Sequence, residues 1–140
     1  MKTENRNIWV ITGISSGLGK ALGEEVLSNG YFVIGTFRRQ HQTDEFNALH
    51  KDKAFALTLD VTKSIDIQNA FETIKRKFGR IDVLVNNAGF GFAGAIEETS
   101  MEEARAIFEA NFFGVLETTK TFLPMLRQQI IVKEVLFHGL

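Results

Sequence analysis

The chain has 140 residues, 44% of them hydrophobic and 24% charged, with a formal net charge of −1. This suits one domain that buries roughly two-thirds of the surface its unfolded form exposes, and the near-neutral balance gives no electrostatic reason to expect nucleic acid or an anionic membrane as partner. Zero cysteines exclude a disulfide framework and thiolate chemistry, while His41, His50 and His138 are scattered rather than set at ligand spacing, so they read as solvated and no metal site is expected.

No apolar run reaches the roughly 18 residues of a membrane span. The polar start "MKTENRN" has the pattern of neither a signal nor a transit peptide, which makes the cytosol the expected compartment. In chain order, residues 8–12 read as a strand, 17–28 as a helix, 31–36 as a second strand and 43–50 as a short polar helix. Residues 54–59 and 81–86 are further strands. Between them, residues 64–78 carry Ile67, Ala70, Phe71, Ile74 and Phe78 at helical spacing, with Gly79 as the stop. A longer helix begins at Ser100, whose hydroxyl and the Glu103 carboxylate form a capping box. Its apolar positions are Phe108, Phe112, Val115 and Phe122, and it runs to about residue 127.

Strands apolar on both faces and separated by helices predict an α/β, doubly wound parallel sheet with right-handed crossovers. Ligands of such sheets sit at the carboxyl ends of the strands, so the loops after the first four strands are the informative ones. The first is "TGISSGLG". Gly13 permits a sharp exit from the strand, Gly17 lets a ligand approach the backbone, and Gly19 lets the next helix lie close to the sheet. The positive end of that helix then faces an anion, with Ser15 and Ser16 as added donors. After the second strand comes "GTFRRQ". A fold that prefers NAD places an acid about 20 residues beyond the glycine loop to accept from the ribose 2′-hydroxyl. Here Phe37 stands 18 positions after Gly19, followed by Arg38 and Arg39, which offer guanidinium forks to a 2′-phosphate. NADP is therefore expected over NAD, although a solvated pair at a helix start also accounts for the arginines, more readily for Arg39.

After the third strand, in "LDVT", Asp60 can accept from an adenine amino group, or Asp60 and Thr62 can cap the next helix. After the fourth, "NNAGFG" holds Asn86, Asn87, Ala88 and Gly89 in a turn small enough to pass a ribose. Asparagines at the end of a buried strand equally serve to tie that turn to its neighbours.

In this order and spacing, "TGISSGLG", "DVT", "NNAG" and the later "NFFG" resemble the classical short-chain dehydrogenase/reductase family over residues 7 to about 128. The resemblance implies a Rossmann-type sheet beginning in strand order 3-2-1-4, and reversible hydride transfer between NADP and an alcohol or carbonyl. It assigns Gly13, Ser15, Ser16, Gly17, Leu18 and Gly19 to the phosphates, Arg38 to the 2′-phosphate, Asp60 and Val61 to adenine, and Asn87, Ala88 and Gly89 to the ribose region. Asn111 matches the family's catalytic asparagine, which kinks the long helix and anchors a proton-relay water. The helices after strands four and five commonly form subunit interfaces in this family, so a homo-oligomer is expected.

The family's acid or base is a tyrosine in a Y-x-x-x-K motif, its pKa of roughly 10 lowered by the lysine, with a serine to position the carbonyl. This chain has one tyrosine, Tyr31, which reads as buried in the second strand, and position 35 is glycine. After the long helix it continues with "QQIIVKEVLFHGL". The expectation is thus a fold truncated after that helix, able to hold cofactor and unable to turn over a substrate. A non-catalytic NADP-binding module and a fragment without function are the alternatives. The β-branched tail, residues 130–137, is predicted to form a strand parallel to the fourth.

Overall fold

The computed structural model describes residue 3, residues 6–128 and residues 134–137. Of the predicted tail strand, residues 130–133 lie outside the described residues, as does His138. The elements are β1 (Ile8–Ile11), α1 (Gly17–Ser28), β2 (Phe32–Phe37), α2 (Gln40–Leu49), β3 (Ala54–Thr58), α3 (Ser64–Lys77) and β4 (Val83–Asn86). A short turn of 3-10 helix (Ile96–Glu98), α4 (Met101–Phe108), a π turn (Glu109–Gly114), α5 (Val115–Arg127) and β5 (Glu134–Phe137) follow. All strands pair in parallel in the order β3-β2-β1-β4-β5. The doubly wound Rossmann-type sheet is therefore present, and the tail strand lies beside β4 with Leu84 opposite Val135.

Alternation along the strands builds two cores. Ile8, Val10, Phe32, Ile34 and Leu84 face α3 and α5, meeting Ile67, Ile74, Phe122, Met125 and Leu126. On the other face Ile11, Val33, Ala54, Ala56, Val83 and Val85 meet Val26 and Ile14, with Leu22, Leu27 and Phe46 at the margin. Burial on both faces explains why every residue of β2 is buried and why these strands read as continuous apolar runs. Gly79, with φ 72°, ends α3 as expected, its N–H donating to the Ile74 carbonyl at 3.3 Å.

Three expectations change. Tyr31 precedes β2 and is 38% exposed, its ring stacked on Trp9 at a centroid distance of 6.2 Å. The second helix begins at Gln40 rather than near Thr43; Gln40 holds its first turn by donating to Asp44 and accepting from the Thr58 hydroxyl, both at 2.8 Å. On the long helix Phe108 and Phe112 are exposed, while Ala110, Gly114, Thr118 and Phe122 are buried. The π turn inserts one extra residue, and at 3.6 residues per turn this rotates the preceding face by about 100°.

Candidate functional site

The loops at the carboxyl ends of β1 to β4 enclose a cleft of about 1180 Å³. Gly13, Ser15, Ser16, Gly17, Leu18 and Gly19 line it after β1, and Arg38 and Arg39 after β2. Asp60 and Val61 line it after β3, Asn87, Ala88 and Gly89 after β4, and Asn111 from the π turn. All fourteen candidates from the sequence thus meet in one cavity. They converge because parallel strands joined by right-handed crossovers place every strand-to-helix loop on the same edge.

Gly13 leaves β1 with φ 71°, a left-handed conformation that costs a side-chain-bearing residue energy. No side chain caps α1, and its first turn carries no acidic residue. The amide N–H groups that begin this helix therefore face the cleft with the positive end of the helix dipole behind them, an arrangement that fits a pyrophosphate. Space around Gly17 is open. Gly19 serves a contact different from the expected one: a Cβ there would run into the Asn87 carboxamide and the Gly13 carbonyl, so its small size admits the loop after β4 rather than the sheet.

At the end of β2, Phe37 is buried, and both Arg38 and Arg39 are exposed with no carboxylate between Gly35 and Gln40. Asp60 stands across the cleft. Its Oδ1 accepts from the Thr62 amide at 3.0 Å and the Thr62 hydroxyl at 2.7 Å, closing an Asx turn. Burial pushes the Asp60 carboxyl up, but those two bonds, with Lys63 and Arg38 nearby, more than reverse this and hold it below its ordinary value. It is an anion with one oxygen left for a donor. The helix-cap reading of Asp60 and Thr62 is not what forms: the residue before α3 is Lys63, without a side-chain cap, and the Asp66 carboxylate reaches back to the Asp60 amide at 3.0 Å.

Thr12, which sequence reasoning passed over, organises the loop after β4. Its hydroxyl accepts from the amides of Asn87 at 3.1 Å and Ala88 at 3.0 Å. Asn87 returns its side-chain amide to the carbonyls of Thr12 at 3.0 Å and Gly13 at 2.8 Å. Asn86, 2% exposed, donates to the Thr119 hydroxyl at 3.1 Å. Both asparagines therefore tie the turn to its neighbours, and the Asn87 backbone, with Ala88 and Gly89, forms the cleft wall. The carboxamide of Asn111 is likewise committed, donating to the Phe90 carbonyl at 2.8 Å and accepting from the Phe90 amide at 3.0 Å. Those bonds fix the side chain of Asn111 within a π turn of the kind that recurs at functional sites, and its main chain lies there too.

Residues 7–132 match the model of the short chain dehydrogenase family. The oxidoreductase BOA17 of Botryotinia fuckeliana is 44% identical over 123 residues, which are 87% of this chain and 45% of that protein. A short-chain dehydrogenase from Streptomyces avermitilis superposes with a TM-score of 0.82 at 42% identity, covering 89% of this chain and 46% of that one. An alcohol dehydrogenase from Thermococcus sibiricus, solved in complex with 5-hydroxy-NADP, superposes with a TM-score of 0.80 at 31% identity, covering 88% and 54%. With its parallel sheet, glycine loop and cleft, the chain belongs to the short chain dehydrogenase family. It spans about half the length of the relatives it matches.

Proposed function

We propose that this chain is the dinucleotide-binding part of an NADP-dependent oxidoreductase acting on an alcohol or carbonyl substrate. The observation that carries the reading is the end of β2. Where NAD-type sites offer a carboxylate to the 2′-hydroxyl, this cleft offers Arg38 and Arg39, exposed and without an acid between Gly35 and Gln40. The Thermococcus alcohol dehydrogenase in complex with 5-hydroxy-NADP supports the same cofactor class. Gly13, Ser15, Ser16, Gly17, Leu18 and Gly19 would hold the pyrophosphate through amides and hydroxyls, and Asp60 and Val61 would meet the adenine. Asn87, Ala88 and Gly89 would wall the ribose.

A nicotinamide cofactor held there supplies the hydride that reduces a carbonyl, or takes it from an alcohol. Asn111, its side chain anchored on Phe90, would order a relay water. A tyrosine to hold the proton at the substrate oxygen is not supplied by these 140 residues: Tyr31, the single tyrosine, lies before β2 on the far side of the sheet from the cleft-forming loops, and no lysine stands four positions after it. The chain alone therefore binds cofactor and turns over no carbonyl.

Fluorescence titration tests this. NADPH is expected to bind saturably, and more tightly than NADH. Arg38→Ala should weaken NADPH about 10- to 100-fold, the scale of one charge-assisted contact, with NADH nearly unchanged. Equal affinities for both dinucleotides, or no saturable binding at millimolar concentration, would overturn the reading.

A further inference from the structure

The residues proposed to contact the cofactor line the surface of the glycine loop, but what holds the loop in shape lies beneath it, on β2. Ile14, inside "TGISSGLG", turns away from the cleft and is 4% exposed. Its side chain lies over Gly35, and any Cβ at position 35 would collide with the Ile14 Cδ1. The next residue, Thr36, bonds the loop twice. Its carbonyl accepts from the Ile14 amide at 3.1 Å, and its hydroxyl accepts from the Gly13 amide at 3.1 Å. Thr36 is itself buried, at 2% exposure. From the opposite side, Asn87 holds the Gly13 carbonyl at 2.8 Å.

We propose that Gly35 and Thr36 are positioning residues for the phosphate loop. They form a socket, a missing side chain followed by a paired acceptor, that receives Ile14 and sets the direction of the amides beginning α1. Arg38 follows two residues later on the same chain segment. One strand thus seats the pyrophosphate loop and presents the residue proposed to read the 2′-phosphate. The inference rests on the cofactor reading for its binding consequences, but the socket itself is a statement about loop conformation and can be tested without ligand.

The chemistry separates the two roles. Loosening the socket acts on the pyrophosphate, which NADPH and NADH share, so it should weaken both by the same factor. Removing Arg38 should affect NADPH alone. Thr36→Val keeps shape and takes away the acceptor for the Gly13 amide; the expected loss is about 5- to 10-fold for each dinucleotide, the scale of one hydrogen bond left unmade. Gly35→Ala should weaken both further. Adding Ile14→Ala to Gly35→Ala takes away the Cδ1, Cγ1 and Cγ2 atoms that the new Cβ would meet, and should recover a large part of the affinity lost by Gly35→Ala alone.

Titrations of the 140-residue chain and these variants with NADPH and with NADH, alongside amide hydrogen exchange at Gly13 and Ile14, decide the matter. Faster exchange at those two amides in Thr36→Val, with other core amides unchanged, and equal losses for both dinucleotides are the expected results. Wild-type exchange rates at Gly13 and Ile14 in Thr36→Val would overturn the socket, as would a Gly35→Ala, Ile14→Ala double variant no better than Gly35→Ala. If Gly35→Ala fails to fold, Thr36→Val carries the decision. If the unaltered chain binds neither dinucleotide, the proposed function fails while the exchange data still judge the socket.

Discussion

At the scale of single residues, the side chains that hold this site together are mostly not those that would touch a ligand. Thr12 is the clearest case. At 2% exposure its hydroxyl satisfies two backbone amides 75 and 76 positions further along the chain. Replacing it with valine preserves shape and leaves the Asn87 and Ala88 amides without their partner, which costs about 2–3 kcal/mol. Serine retains the acceptor. Urea unfolding should therefore show a clear drop in midpoint for Thr12→Val and a small one for Thr12→Ser. An unchanged midpoint for Thr12→Val would mean that another acceptor takes over those amides. This partnership could not be read from sequence. A threonine before a glycine has a local meaning, whereas its bonds to the loop after β4 exist only once β1 and β4 are neighbours. Gly13, Gly17, Arg38 and Asp60 were legible for the opposite reason: backbone conformation and charge are properties of the residue itself, and the alternation of strands and helices was enough to bring them to one edge.

At the scale of elements, the N-terminus of α4 was legible down to its atoms, because a capping box is a local device. The Ser100 hydroxyl accepts from the Glu103 amide at 3.1 Å, and the Glu103 carboxylate accepts from the Ser100 amide at 3.0 Å and hydroxyl at 2.8 Å. These bonds favour the ionised carboxylate and hold Glu103 below its ordinary pKa. A folded-state pKa below the unfolded one means that the contribution is present at neutral pH, at and above the unfolded value, and is lost as the pH falls through the folded value. Acidification is thus expected to fray the start of α4 before the core is disturbed. Amide exchange at Glu103 followed from pH 6 to pH 3 checks this, and Glu103→Gln should flatten the dependence. The next stretch of the same helix was not legible. Phe108 and Phe112 fit an ideal α-helical stripe with Val115 and Phe122, but the π turn displaces the face by one residue, bringing Ile107 and Ala110 to the cleft. Periodicity assumes a constant turn, and the Asn111 to Phe90 bonds that accompany its change are again tertiary.

At the scale of the whole molecule, the displaced face has a further consequence. Phe108, Phe112, Phe113 and Leu116 are between 48% and 57% exposed, and the rings of Phe112 and Phe113 meet edge to face at 5.1 Å. Four large apolar side chains within about three turns of one helix form the kind of contiguous patch that soluble monomers seldom leave open. Glu109, Glu117 and Lys120 border part of it, so two copies can bring opposite charges together around an apolar centre, as an isologous contact requires. We therefore expect the chain to self-associate through this helix. Sedimentation velocity should show a concentration-dependent dimer, and the double variant Phe113→Asp, Leu116→Asp should shift it to monomer with no change in thermal midpoint measured at low concentration. The sheet offers a competing route, since β5 forms its outer edge among the described strands and an unpaired edge can template association. The two routes separate in the variant: association through the helix disappears with the aspartates, whereas association through the strand edge persists and would sink the helix-face prediction.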